Sequence, residues 1–438
     1  ATVPAASLST HHACCQHATL PSAMKPVRLL AIFDSHTPYL AFRLNAFQEA
    51  IDARGLDDVL KLEVVLIGAE EASYGWEGEG LQKLYQMPIT ILSNRFRGLG
   101  MRSFLHSSVP GCLWKLFKIL LRQRPKVVFV GGYDRPESML TTLLGRLWRC
   151  KTGVWNDSKF SDAESFGKSI WLELIKSLMV ARYHFYLCPG RDSADYHRFL
   201  GGRKKLALTH AWDVVDNATI GSQADDTSFD EAIAKALTVE GEYFLMPVRF
   251  IEKKNSMRVI DAYAQYHERS PNESIPLVIC GKGPQEEAMR AAIAKHGLTD
   301  SIKMVPWLAY EQVPRASRRS RAVLLASTHD QWGMIVNEAL AAGAPVLVSN
   351  RCGAHELVRN QVNGFTFDPY DTEHLGRLFG VLTEDTELVS QMREAASSSI
   401  DGFSIDQWIQ NHFDVLEHFG VLPERPAMVA NKETQAVS

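Results

Sequence analysis

Asp330 and Glu338, separated by seven residues, are the acids of this chain best suited to sugar chemistry. A carboxylate accepts two hydrogen bonds from neighbouring hydroxyls, which is what a ribose diol or a hexose 3,4-diol presents. Between the two acids, Gly333 and Met334 open a run of good helix formers to Ala342, closed by Gly343 and Pro345. The first turn of such a helix leaves N–H groups unpaired beneath a positive dipole end. A diphosphate there finds donors and field together, about 0.3–1 kcal/mol per charge. Arg249 and Lys254 supply cations, and Gly281 and Gly283 mark a turn where backbone approaches a ligand or takes positive φ. These residue types suit a nucleotide diphosphate sugar. The competing reading makes Asp330 a helix cap, Glu338 a solvated helix residue and Lys253 an ordinary surface lysine.

Elements must hold these groups in place. Ala322 to Ala326 and Pro345 to Ser349 are short continuous apolar runs, the form of parallel strands covered on both faces. Tyr243 to Val248 and Ile275 to Gly281 read the same way. Ligands of an open parallel sheet bind outside the carboxyl ends of its strands, so Arg249 and Lys254 project into that crevice. Further strands are expected at Val27 to Phe33, Leu62 to Ile67, Ile89 to Leu92, Lys126 to Val130, Thr152 to Trp155, His184 to Cys188 and Leu206 to Thr209. Helical segments between most of them imply βαβ units and two facing Rossmann-like α/β domains. The expected division is residues 24–217 for the first domain, a linker at 218–235 and residues 236–404 for the second. The linker rests on the polar, turn-rich stretch Gly221 to Phe229. Residues 1–23 read as a disordered leader and 422–438 as a disordered tail.

The acidic-x7-acidic segment resembles the signature of family-4 retaining glycosyltransferases, whose architecture is the GT-B fold. Arg249 and Lys254 are similar to that family's Arg-x4-Lys pair, and the VICGKGP run to its VxGxGP. Asn363-Gly364-Phe365 with Pro369, and Arg191 to Asn217, also resemble family segments. The resemblance implies roles. Glu338 binds the donor ribose, Asp330 the donor sugar, the Gly333 and Met334 amides lie near the phosphates, and Arg249 and Lys254 grip them. It also implies that residues 405–421 cross back onto the first domain. The activity implied is retaining transfer of a hexose from a UDP- or GDP-sugar to a hydroxyl of a glycan or lipid-linked saccharide. No cofactor beyond the donor is expected and, with no convincing DxD motif, no metal. Two alternatives are a GT-B sugar-nucleotide epimerase and a noncatalytic nucleotide-sugar-binding protein.

Several positions depart from the family pattern. Asp330 is one methylene shorter than the usual Glu, and Val248 stands where Gly is usual. After the first strand comes Asp34-Ser35-His36-Thr37-Pro38-Tyr39 instead of a Gly-rich loop. Asn156 and Asp157 occupy a strand end where related enzymes often carry a histidine. The acceptor-side candidates are therefore His36, a general base by its near-neutral ordinary pKa, with Arg43, Asn45, Asn156 and Asp157. Glu356 reads as a helix cap, and Asp216 and Asn217 as structural.

A chain of 438 residues with 46% hydrophobic content holds more than one core. A net charge of −3, with no nucleic-acid-binding motif, argues against nucleic acid as a partner. The seven cysteines show no CxxC pairing and read as reduced thiols of a cytoplasmic protein. Leu113 to Arg124 alternates large apolar groups with Lys115, Lys118, Arg122 and Arg124, and Arg95, Arg97 and Arg102 precede it. Docking on the sheet is the favoured reading of that helix. Peripheral contact with an anionic membrane at its inner face is the other.

Overall fold

Apolar runs bounded by polar turns assemble here into two parallel sheets. The computed structural model describes residues 26–34, 37–68, 84–93, 108–160 and 170–423. The first sheet holds β1 (Val27–Phe33), β2 (Leu60–Gly68), β3 (Ile89–Ser93), β4 (Val127–Gly131), β5 (Lys151–Trp155), β6 (Phe185–Leu187) and β7 (Leu206–Leu208) in the order β3-β2-β1-β4-β5-β6-β7. The second holds β8 (Phe244–Pro247), β9 (Leu277–Cys280), β10 (Ile302–Val305), β11 (Ala322–Leu325), β12 (Val346–Ser349) and β13 (Gly364–Phe367) in the order β10-β9-β8-β11-β12-β13. Each sheet reverses its winding once, between β1 and β4 and between β8 and β11. The crevice at such a reversal is where open α/β sheets bind ligands.

The helices are α1 (Pro38–Ala53), α2 (Val109–Gln123), α3 (Pro136–Leu147), α4 (Ile170–Val180), α5 (Arg191–Gly201), α6 (Asn217–Asp225) and α7 (Asp230–Leu237), then α8 (Ser256–Arg269), α9 (Glu286–Lys295), α10 (Val313–Arg319), α11 (Ile335–Ala341), α12 (Thr372–Glu384), α13 (Thr386–Ser398) and α14 (Ile405–His418). Strand alternation sends Leu29, Ala31, Phe33 and Phe129 to one face of the first sheet, under α1 and α14. Leu30, Ile32, Val128 and Val130 go to the other, under α2, α3, α4 and α5. Although α14 follows the second domain in sequence, it packs on the first: Trp408 stacks on Trp155 at 6.2 Å, and Trp155 Nε1 donates to His412 Nε2 at 3.0 Å. Burial lowers the His412 pKa to about 3, which keeps that nitrogen a free acceptor.

The expected linker is not one. Residues 217–237 form α6 and α7, and Ile220, Ala224, Ile233 and Leu237 enter the second domain's core. Two apolar pairs at helical spacing, rather than the polar majority of the stretch, decided the outcome. Asp230 further ties this segment to α10 through Arg315 at 2.7 Å. Asp216 caps α6 by accepting from Thr219 N at 2.9 Å, the structural role expected of it. The expected tail is also ordered at its start, since Leu422 is buried in the first core. The leader, and the tail beyond residue 423, lie outside the described residues. Cys112, Cys150, Cys188, Cys280 and Cys352 are free and buried. Among the described residues no helix is long and apolar enough to cross a membrane, and Leu113 to Arg124 docks as α2 through Cys112, Leu116 and Leu120.

Candidate functional site

The β8/β11 reversal places two loops side by side. The chain leaves β8 through Val248-Arg249-Phe250, and the glycine turn after β9 lies against this backbone. Gly281 and Gly283 have φ of +153° and +158°; a Cβ on Gly281 would lie 2.0 Å from Val248 O, and one on Gly283 2.6 Å from Phe250 O. Both glycines thus serve to seat the loop that carries Arg249, a close approach of backbone to backbone. Val248 sits in the second core, 2% exposed. Phe250 N donates to Lys282 O at 3.0 Å, and Lys254 N to Ile251 O at 3.0 Å, which fixes the course between the two cations.

From β11 the chain runs to Asp330, whose loop is tied to the one after β12. Gly353 N donates to Asp330 O at 3.1 Å and Ala354 N to Trp332 O at 3.0 Å. A Cβ on Gly353 would lie 2.0 Å from Gln331 O, so the loops can approach only with glycine there. Gly353→Ala is expected to cost about 1–3 kcal/mol of stability in denaturant unfolding. Gly111→Ala on α2, where nothing lies within 4 Å of the new methyl, is expected to be neutral or stabilising. Equal stability of the two variants would contradict the packing described.

The Asp330 carboxylate is nearly buried and engaged by three groups. Lys254 Nζ bonds to Oδ2, Ser327 Oγ donates to the same oxygen at 3.1 Å, and Lys253 Nζ lies 3.8 Å from Oδ1. Burial pushes the acid up, but Lys254, Lys253 and the hydrogen bonds outweigh it and hold Asp330 below its ordinary value, ionised. Lys253, expected to be an ordinary surface lysine, thus belongs to the charge cluster, and its carbonyl accepts from Thr328 N at 2.9 Å. Helix α11 is shorter than the expected Met334 to Ala342; Met334 stands at its N-cap after Gly333, whose φ is +111°. Glu338 lies one turn in and is buried, not solvated. Its Oε1 accepts from Tyr39 OH at 2.6 Å, and burial raises its pKa from 4.5 to about 7.

Tyr39 belongs to the first domain, and it is one of several residues that join the domains without a signal in the sequence. Its ring meets Tyr310 edge-on at 6.0 Å. Arg43 is inside α1 and is 3% exposed. Its Nε donates to Val214 O at 3.0 Å, its guanidinium lies 4.6 Å from the Trp212 ring centre, and one nitrogen is 3.8 Å from Met334 Sδ. Lys159 Nζ donates to Arg351 O at 2.8 Å. Glu356 does cap a helix, but across the cleft: it accepts from Arg191 N at 2.7 Å and Asp192 N at 2.8 Å, the start of α5. A carboxylate at a helix N-terminus suits both the orphan donors and the dipole.

Two other acceptor-side candidates, Asn156 and Asp157, follow β5. Asn156 Oδ1 accepts from Ser158 N at 2.9 Å, which commits that oxygen to its own turn, where Asp157 is half-buried. Asn45 donates to Leu84 O and accepts from Gln86 N at 2.9 Å, on the segment that leads into β3. His36 and the arginines at 95, 97 and 102 lie outside the described residues. At the β1/β4 reversal the structure offers a pair that sequence reasoning passed over. Arg135 grips Asp34 Oδ2 at 2.7 and 3.0 Å, and burial raises the Asp34 pKa to about 6. Its other oxygen, Oδ1, is buried and has no hydrogen-bond partner among the described residues.

Residues 228–399 match the family model of glycosyl transferases group 1. The D-inositol 3-phosphate glycosyltransferase of Salinispora arenicola is 27% identical over 212 residues, 46% of this chain and 47% of that protein. The mannosylfructose-phosphate synthase of Agrobacterium fabrum is 25% identical over 152 residues, 33% of this chain and 34% of that one. The chain thus matches half or less of these relatives' length. Among solved structures, HepE of Anabaena in complex with UDP superposes with a TM-score of 0.66 at 16% identity, covering 90% of this chain and 100% of that one. Sucrose-phosphate synthase of Thermosynechococcus elongatus gives 0.67 at 12%, covering 90% and 99%. The fold is GT-B, as in these glycosyltransferases.

Proposed function

We propose that this chain, whose residues 228–399 form a glycosyl transferases group 1 domain, is a retaining glycosyltransferase moving a hexose from a UDP- or GDP-sugar to a hydroxyl acceptor, a glycan or lipid-linked saccharide. The reading rests most on one observation. At the β8/β11 reversal, the Lys254–Asp330 pair precedes the α11 start and the buried Glu338, an arrangement that would suit a diphosphate with a sugar on each side. Arg249, Lys254 and the amides at Gly333 and Met334 would neutralise the leaving diphosphate without a metal ion. Glu338 would hold the ribose diol, and Asp330, steadied by Lys254, the hexose.

Displacement on one face of the sugar breaks the anomeric C–O bond to phosphate and forms the bond to the acceptor oxygen. The acceptor proton passes to a departing phosphate oxygen, so no side-chain base is required. Arg43 is seated against the α11 start, and it would line the acceptor end of the crevice. Reduced, buried thiols fit a cytoplasmic setting.

Incubation with UDP- and GDP-hexoses, with and without an acceptor panel that includes inositol phosphates, tests the reading. A transferase slowly hydrolyses its donor alone and joins it to an acceptor with the anomeric configuration kept. Change of the donor sugar without acceptor would make it an epimerase; binding without turnover would make it a noncatalytic receptor.

A further inference from the structure

Four helices of the first domain, α2 to α5, cover one face of its sheet and expose apolar side chains on their outer surface as well. On α3, Leu144 enters the core, while Met139, Leu143 and Leu147 form a stripe at four-residue spacing on the solvent side, the last two 64% and 72% exposed. On α4, Val180 is buried while Leu174, Ile175 and Leu178 are exposed. On α2, Trp114 and Leu121 stand opposite the buried Cys112, Leu116 and Leu120. A surface helix of a soluble domain carries its apolar stripe on one side, and these carry it on two.

Of sixteen exposed large apolar side chains among the described residues, nine lie on α2 to α5, so the exposure is concentrated and not scattered. Contacts run from helix to helix. Trp114 stacks on Phe117 at 5.8 Å, Phe117 meets Trp148 at 6.5 Å beyond the end of α3, and Arg146 donates to Ala181 O at 3.2 Å after α4.

Charge selects the occupant. Residues 109–124 hold four Lys and Arg, residues 136–151 three, residues 170–182 two and residues 191–201 two, eleven in all against Glu137, Glu173, Asp192 and Asp195, in a chain whose net charge is −3. Glu137 is buried, so its charge is withdrawn from this surface. Lys118 Nζ lies 4.8 Å from the Trp114 ring centre and Arg124 4.5 Å from that of Trp148, so cations stand among the apolar groups as at a lipid interface. A second copy docking through the same face would bring like charges together.

We infer that the outer face of α2 to α5 rests on an anionic membrane surface, apolar side chains entering the headgroup boundary and Lys and Arg meeting lipid phosphates. The inference stands apart from the donor site, which faces the other domain. It widens the interface from one basic helix to four.

Co-sedimentation of the full chain, without donor, with phosphatidylcholine vesicles that contain or lack phosphatidylglycerol tests it at low salt. The chain is expected to pellet with the anionic vesicles only. Lys118→Glu/Arg122→Glu is expected to lose at least tenfold in partitioning, given about fivefold per cation at such a surface. Leu143→Asp/Leu147→Asp is expected to lose partitioning while hydrolysing donor in solution like the parent. All four side chains are on the outer face, and unchanged thermal melts verify folding. Recovery in the supernatant with every vesicle would overturn the inference. So would a dimer in light scattering that Leu143→Asp/Leu147→Asp splits, which assigns the face to a second copy.

Discussion

Glu338→Gln is expected to weaken donor binding by about 10- to 150-fold, the loss of one charge-assisted hydrogen bond of about 1.5–3 kcal/mol. The carboxylate must be ionised to accept both ribose hydroxyls, and burial has raised its pKa from 4.5 to about 7. Donor affinity of the parent is therefore expected to rise about tenfold between pH 6 and pH 8, while Glu338→Gln shows no such rise. Stability follows the opposite sign. An acid whose folded pKa lies above its unfolded value loses stability as pH rises from 4.5 through about 7, so Glu338→Gln should melt higher than the parent at pH 8. A group that destabilises the free protein and tightens the ligand is what a binding acid looks like. Tyr39 donates to this carboxylate and favours its ionised form. Tyr39→Phe is expected to move the affinity midpoint to higher pH. Calorimetric titration of UDP across this range measures both, and pH-independent affinity in the parent would refute the role of Glu338.

Lys254→Met is expected to lower both stability and turnover, for separable reasons. Asp330 is 9% exposed and would keep its charge with only Lys253, 3.8 Å away, to offset it. Breaking such a nearly buried pair costs about 3–5 kcal/mol, less here by whatever Lys253 restores. Lys254→Met/Asp330→Asn removes both charges and is expected to recover most of the stability. Turnover should not recover, because the leaving diphosphate still lacks the Lys254 cation and the hexose now lacks the Asp330 carboxylate, a loss on the order of 10²–10³ in kcat or more. Urea unfolding and donor hydrolysis, measured on both variants, separate the effects. A double variant that regains activity with its stability would reduce Lys254 to a structural ion pair.

What the sequence disclosed follows from how far apart the cooperating residues lie. Strands buried on both faces carry continuous apolar runs, so β1, β8, β11 and β12 could be read directly. β10 could not: Ile302 and Val305 are buried, but Lys303 and Met304 between them are half-buried at the edge of the sheet. The second domain's site residues lie on three loops of one sheet, each announced by a strand end, and two of them also by a glycine. In the first domain, Tyr39, Arg43, Lys159 and the α5 start gain their roles from residues 299, 291, 192 and 165 positions away. No local pattern encodes such meetings. Glu356 shows the limit clearly: capping was legible in its type, but the helix it caps belongs to the other domain.

A crystal structure of the chain with UDP-hexose, or with UDP and hexose together, bears most directly on the donor site. The diphosphate is expected between Arg249, Lys254 and the amides at Gly333 and Met334, with the ribose hydroxyls on Glu338 in place of Tyr39. A diphosphate bound elsewhere, with the Tyr39–Glu338 and Lys254–Asp330 contacts intact, would contradict the assignment.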